Sequence, residues 1–174
     1  MSGDIRITTN DESIVSFWKE RGFDATLKYE AEGISCWDIE VPDDHEDLKS
    51  PDYLDLCIQE KMMMPALIRR RLQPPVYTAK SGGHFALVRL QNEQDLGSLV
   101  PMSRSKELLE FAATNPTTGE CPDIVPIKDI KQIKRLLNRA HKSGAAGVLC
   151  FVTGRFTETI SMGEAVKSLE QTIH

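Results

Sequence analysis

The sequence predicts a mixed α/β protein, α+β in detail, with a central mixed sheet flanked by helices. Two observations carry that prediction. Short apolar or alternating runs bounded by Gly, Pro and Asn read as strands, and they are interleaved with segments whose apolar residues recur at helical spacing. The chain also has 174 residues, of which 40% are hydrophobic and 27% charged, enough for one domain with a sizeable core.

Asn10, Asp11 and Glu12 can cap a helix carrying Ile14, Val15, Phe17 and Trp18 and ending at Gly22. Ala25 to Tyr29 and Ile34 to Val41 read as two strands joined at Glu32-Gly33. The acidic, turn-rich stretch PDDHEDLKSPD leads as a loop into a second helix from about Tyr53 to Leu72, with Pro65 as a kink or break and Arg69, Arg70 and Arg71 at its end. After Pro74-Pro75 the pattern turns to strands at Val76 to Ala79, Phe85 to Leu90, Leu99 to Met102 and Glu107 to Ala113. A Pro-, Thr- and Gly-rich loop covers 115–122. Ile127, Ile130, Ile133, Leu136, Leu137 and Ala140 then recur at helical spacing, followed by strands at Gly147 to Thr153 and Thr159 to Met162 and a helix from Glu164. The expected organisation is a single domain over 1–174, in which 1–75 is an acidic N-terminal elaboration (helix, hairpin, helix) and 76–174 the candidate catalytic core.

Charge is divided unevenly along the chain. Residues 1–60 hold 5 Lys/Arg and 16 Asp/Glu, whereas 61–174 hold 16 and 10, so the formal net charge of -5 conceals an acidic part and a basic part. A positive C-terminal two-thirds is compatible with a polyanionic partner, because nucleic acid responds to the local field. No apolar run approaches the ~20 residues needed to span a bilayer, and the start MSGDIRITTNDES has neither the basic flank nor the apolar stretch of a signal peptide; a soluble, intracellular protein without a membrane partner is expected. Cys36, Cys57, Cys121 and Cys150 form no C-x-x-C and read as reduced, mostly buried thiols. His45, His84, His141 and His174 show no ligand spacing.

The stretch from Asp95 to Ala113, DLGSLVPMSRSKELLEFAA, carries the candidate chemistry. Read as a hairpin, it places Asp95 at the opening of one strand and Glu110 on the return strand, so that two carboxylates meet at one end. Strand alternation would then turn Leu108, Glu110 and Ala112 to one face. Oxygen ligands converging from adjacent strands suit Mg²⁺, which takes one or two carboxylates, water and a phosphate oxygen.

An Asp, then a Glu-x-Lys-like position within EFAAT, then Val125-Pro126-Ile127, a helix bearing Gln132, the helix RLLNRAHKSGA, the strand GVLCFV and the closing ETISMGEAVKSL resemble the PD-(D/E)XK nuclease superfamily, and within it most nearly the Holliday-junction resolvases. The resemblance covers roughly residues 93–168 and implies a restriction-endonuclease-like fold. It implies a Mg²⁺-dependent (or Mn²⁺-dependent) DNA endonuclease acting as a homodimer on DNA, including branched DNA. Asp95 and Glu110 would hold the metal and Gln132 would help place the water or scissile phosphate. The motif lysine is missing, since Ala112 stands in its place. Either that lysine has been replaced by alanine, leaving an inactive chain, or a natural chain has lost or moved it; in both cases assistance to the attacking water is absent. Asp38, in GISCWDIEV, rivals Asp95 as first metal ligand, and Glu12 is a further candidate acid whose plainer role is to complement a helix dipole.

Lys128, Gln132, Arg135 and Arg139 fall at i, i+4, i+7 and i+11, an outward stripe flanked by Lys131, Lys134 and Lys142. Such a stripe can neutralise phosphates. Arg69, Arg70, Arg71 and Lys80 form a second candidate DNA-contacting patch, and the SGGH turn at 81–84 would allow close backbone approach. Other readings of the same residues are a restriction-like or recombination-associated nuclease on duplex DNA and a non-catalytic acidic α/β adaptor that binds a protein.

Overall fold

The computed structural model describes residues 3–89 and 97–170. The protein is mixed α/β, with a three-stranded and a seven-stranded sheet, and it divides into two compact units, Met1–Met64 and Pro65–His174. The division falls inside a helix, eleven residues before the change of pattern at 75/76.

In the first unit, β1 (Asp4–Thr9), β2 (Ala25–Ala31) and β3 (Ile34–Pro42) form an antiparallel sheet in the order β1-β3-β2. Strand β1 is an addition to the sequence reading, although Asp4 to Thr8 alternates polar and apolar residues; it pairs with β3 along Asp4↔Pro42 to Thr9↔Trp37. The helix α1 (Glu12–Lys19) starts at Asp11, whose carboxylate accepts from the Ser13 N–H. Its Ile14, Val15, Phe17 and Trp18 are buried against Ile39 and Val41. Alternation along β3 turns Asp38 and Glu40 to the opposite face, where Thr8 donates to Asp38 at 2.6 Å and Arg6 pairs with Glu40 at 3.3 Å. The sheet is therefore apolar on one side and polar on the other.

A short 3-10 turn (Glu46–Lys49) precedes α2 (Pro51–Arg71), which continues through Pro65. His45 lies edge-on to Trp18 and Phe23, with ring centroids 5.3 and 5.4 Å away. The Arg21 guanidinium lies over the Phe17 ring and pairs with Asp47 at 2.8 Å. These contacts give the acidic loop ordered anchors on the aromatic core.

In the second unit the strands are β4 (Val76–Ser81), β5 (His84–Phe85), β6 (Val88–Arg89), β7 (Ser98–Ser103), β8 (Asp123–Ile127), β9 (Ala145–Phe151) and β10 (Thr157–Ser161). The main path runs β10-β9-β7-β4-β5, with β6 beside β7 and β8 beside β4. Among the described strands of this unit only β7 and β9 pair in parallel, which requires a crossover, and the chain between them supplies α3 (Lys106–Ala113), β8 and α4 (Ile130–Lys142). The helix α5 (Met162–Glu170) follows β10 directly. Gly82 and Gly83, both at positive φ, make the tight turn of the β4-β5 hairpin. Both neighbours of β7 hold it from the sides and every residue from Leu99 to Ser103 is buried, so this strand is the centre of the unit. Its polar groups are satisfied: Thr78 donates to the Pro101 carbonyl at 2.8 Å and Ser103 to that of Phe151 at 2.9 Å.

The expected return strand from Glu107 to Ala113 is not a strand. The segment is α3, capped by Ser105, whose hydroxyl accepts from the Leu108 N–H at 3.2 Å. KELLEFAA consists almost entirely of strong helix formers, and this local preference prevails over the apolar run that suggested a strand. Likewise Ile127, which by spacing opens the helical run, ends the strand β8, which pairs with β4 from Val76↔Ile127 to Lys80↔Asp123.

Candidate nucleic-acid interface

The helix α4 is the most strongly amphipathic element of the second unit. Ile133, Leu136, Leu137 and Ala140 are buried, and the helix packs on β9 and α5. Its start is fixed by two hydrogen bonds to Gln132. Asp129, the N-cap, accepts from the Gln132 N–H at 2.9 Å, and the Gln132 side chain accepts from the N–H of Lys128, the residue before the cap, at 2.9 Å, a variant of the capping box displaced by one residue. Gln132 thus has a structural task at the helix entrance and does not reach toward a carboxylate cluster.

With the apolar stripe inward, the cations face out. Lys128, Lys131, Arg135, Arg139 and Lys142 are exposed and Lys134 is half-buried. Among the described residues none of the six forms an ion pair, and Asp129, the sole acid between 128 and 142, is engaged at the cap. The face carries six positive charges over about four helical turns.

The second basic patch is not built as expected. Arg71 is 2% exposed and makes a two-pronged contact with Glu158 on β10, Nε and Nη2 each 3.0 Å from a carboxylate oxygen. A buried, doubly held guanidinium ties α2 to the sheet and is not offered to a phosphate. Lys80 is half-buried with its ammonium 4.8 Å from the centre of the Phe85 ring. Arg70 is exposed and Arg69 half-buried.

The return strand that was to carry Glu110 is a helix, so the hairpin that was to set it beside Asp95 is not formed by this segment. Asp95 lies outside the described residues. Glu110 stands on α3 with its carboxylate 3.7 Å from Lys106, one turn earlier. In a helix, residues two apart point in nearly opposite directions, so Ala112, exposed, does not share a face with Glu110, and a lysine there would not share it either. Glu12 is exposed in the first turn of α1, and the first unit's sheet lies between that helix and Asp38, whose carboxylate is occupied by Thr8. No group of three or more His, Cys, Asp or Glu side chains suited to a metal ion occurs among the described residues.

Of the four cysteines, Cys36 and Cys150 are buried, Cys57 is half-buried and Cys121 is exposed, with its thiol 3.8 Å from the Glu110 carbonyl. No described helix is long and apolar enough to cross a membrane. A scan against protein-family models and a search of curated proteins both return no match.

Proposed function

We propose that this protein binds DNA through the outward face of α4, and that the chain as it stands binds without cutting. The observation that carries the reading is the row of six cations with no carboxylate partner among the described residues. Long-range attraction between such a face and a phosphate backbone is sequence-independent and falls steeply with salt, because each neutralised phosphate releases condensed counterions. A binding role without hydrolysis is supported by the placement of Glu110 and Ala112 on separate sides of a helix, which leaves the reading without its two-carboxylate hairpin and its lysine position.

Fluorescence anisotropy with a labelled duplex and a labelled four-way junction, titrated in salt, tests the proposal. Binding is expected at low salt with a slope of log K against log[salt] no steeper than about -5, the limit for six contacts. The double variant Lys131→Glu/Arg135→Glu should weaken binding at least tenfold and flatten the slope by about 2. Absence of binding at low salt, or an unaltered affinity in the double variant, overturns the proposal. Incubation of the native chain and of Ala112→Lys with both substrates in Mg²⁺ and in Mn²⁺ should give no cleavage; cutting by either would restore the nuclease reading.

A further inference from the structure

The outward face of α4 holds one residue that helix formation does not account for. Asn138 is the ninth of the thirteen residues of α4, exposed and away from both ends. Asparagine is unfavourable there, because its amide competes for backbone hydrogen bonds and alanine, lysine or arginine would support an interior turn better. Its favoured place in a helix is the N-cap, which Asp129 fills, and the C-cap is Ser143. Among the described residues the Asn138 side chain has no hydrogen-bond partner. Gln132, the other exposed amide of the helix, already holds the Lys128 N–H.

Helical geometry sets what surrounds Asn138. At about 100° per residue it lies within about 30° of the direction opposite the buried Ile133, Leu136, Leu137 and Ala140. Lys131, two turns earlier, and Lys142, one turn later, stand nearly in line with it, offset by about 20° and 40°. Lys134 is about 40° to one side, and Arg135 and Arg139 are about 60° and 100° to the other. The crest of the helix thus carries a neutral amide between two lysines, with cations on both flanks. A helix lying in the major groove of B-form DNA needs this order, since its flanks meet the phosphates of the two strands and its crest meets the edges of the base pairs. That groove, about 12 Å wide, admits an α-helix, whereas the major groove of an RNA duplex is too narrow. A phosphate asks only for a donor. The asparagine amide offers an acceptor and a donor side by side, which matches adenine: Oδ1 accepts from the N6 amino group and Nδ2 donates to N7.

We infer that α4 is a recognition helix that enters the major groove of duplex DNA, with Asn138 reading an adenine and the cations around it set against the phosphates of both strands. The inference rests on the reading of α4 as a DNA-binding face and adds to it a preference among sequences, which phosphate contacts do not give. Selection from a library of duplexes with a randomised core, carried out with the native chain and with Asn138→Ala, tests it. The native chain should enrich sites with an invariant adenine, bound about tenfold or more tightly than random duplex of the same length. Replacing that adenine by 7-deazaadenine, which lacks the N7 acceptor, should weaken binding by the native chain severalfold and leave binding by Asn138→Ala unaffected. Asn138→Ala should keep the native affinity for random duplex and the native salt slope, with a melting temperature no lower than the native one, because alanine is the better helix former. Random-duplex binding with no enriched sequence, an adenine enriched equally by Asn138→Ala, or a 7-deazaadenine site bound as tightly as the natural one overturns the inference and leaves the α4 reading standing. Absence of binding to any duplex at low salt overturns both.

Discussion

Gly147 stands on β9 opposite Ser161 of β10. A Cβ placed there would lie 2.1 Å from the Ile160 carbonyl oxygen, and the obstacle is backbone in a paired register, Ile160↔Val148 and Ser161↔Gly147, so it cannot swing aside. Gly147→Ala should therefore destabilise the second unit by about 2–4 kcal/mol, read as a lowered denaturant midpoint. Tyr53 shows the opposite kind of constraint, set by burial instead of contact. Its phenol is held well above the ordinary value of 10.0, first by burial and then by the neighbouring Cys57 thiol. The unfolded phenol thus ionises before the folded one, so the unfolded chain loses its proton first. The associated stability is complete below pH 10 and is withdrawn as pH rises above it. Urea midpoints of the native chain should fall between pH 9 and 11 more than those of Tyr53→Phe; an equal fall would assign the alkaline loss to other groups.

At the scale of elements, α3 and α4 separate what a pattern suggests from what it requires. The run Leu108, Leu109, Glu110, Phe111 has no strict alternation, and Leu109 alone of α3 is buried while Phe111 is 79% exposed. Read as a strand it supplies a metal-site hairpin; as a helix it supplies an exposed i,i+4 pair, Lys106 and Glu110, worth at most about 0.5 kcal/mol. The capping serine at 105 and the helix-forming composition were both visible in the sequence, and they were the better signal. For α4 the apolar spacing alone was sufficient, and the burial of Ile133, Leu136, Leu137 and Ala140 follows it residue by residue. Asp129→Ala, which removes the cap, should cost about 1 kcal/mol, whereas Glu110→Ala should change stability by no more than about 0.5 kcal/mol. Thermal melts of the two variants check the contrast; an equally large loss for Glu110→Ala would show that its carboxylate does more than pair with Lys106.

Over the whole molecule, the charge division has a structural counterpart. The first unit, 1–64, holds 6 Lys/Arg and 16 Asp/Glu, and the second, 65–174, holds 15 and 10. An acidic unit on the same chain opposes the approach of a polyanion, and the opposition is screened over about 10 Å at 0.1 M salt. Neutralising Asp24, Asp44 and Asp55, all exposed, as Asp→Asn should raise DNA affinity several-fold at low salt and leave it unchanged at high salt. Anisotropy titrations at both ionic strengths check this, and an increase that persists at high salt would point to a direct contact instead of a field.

By itself the sequence determined the α/β class, the helices α1, α2, α4 and α5, and the cationic face of α4, because these follow from periodicity, caps and charge order, which are local. The helix at 107–113 and the alternating strand β1 were also written in local signals, a cap, helix-forming residues and Ile5 and Ile7 between polar neighbours; the sequence did not determine that β8 is a strand or that Arg71 is buried on Glu158. Strand identity in weakly alternating segments is decided by a partner distant in the chain, and the fate of a charged side chain by whether an opposite charge from another element reaches it during packing. Those are properties of the assembled tertiary structure, where desolvation and pairing are settled together.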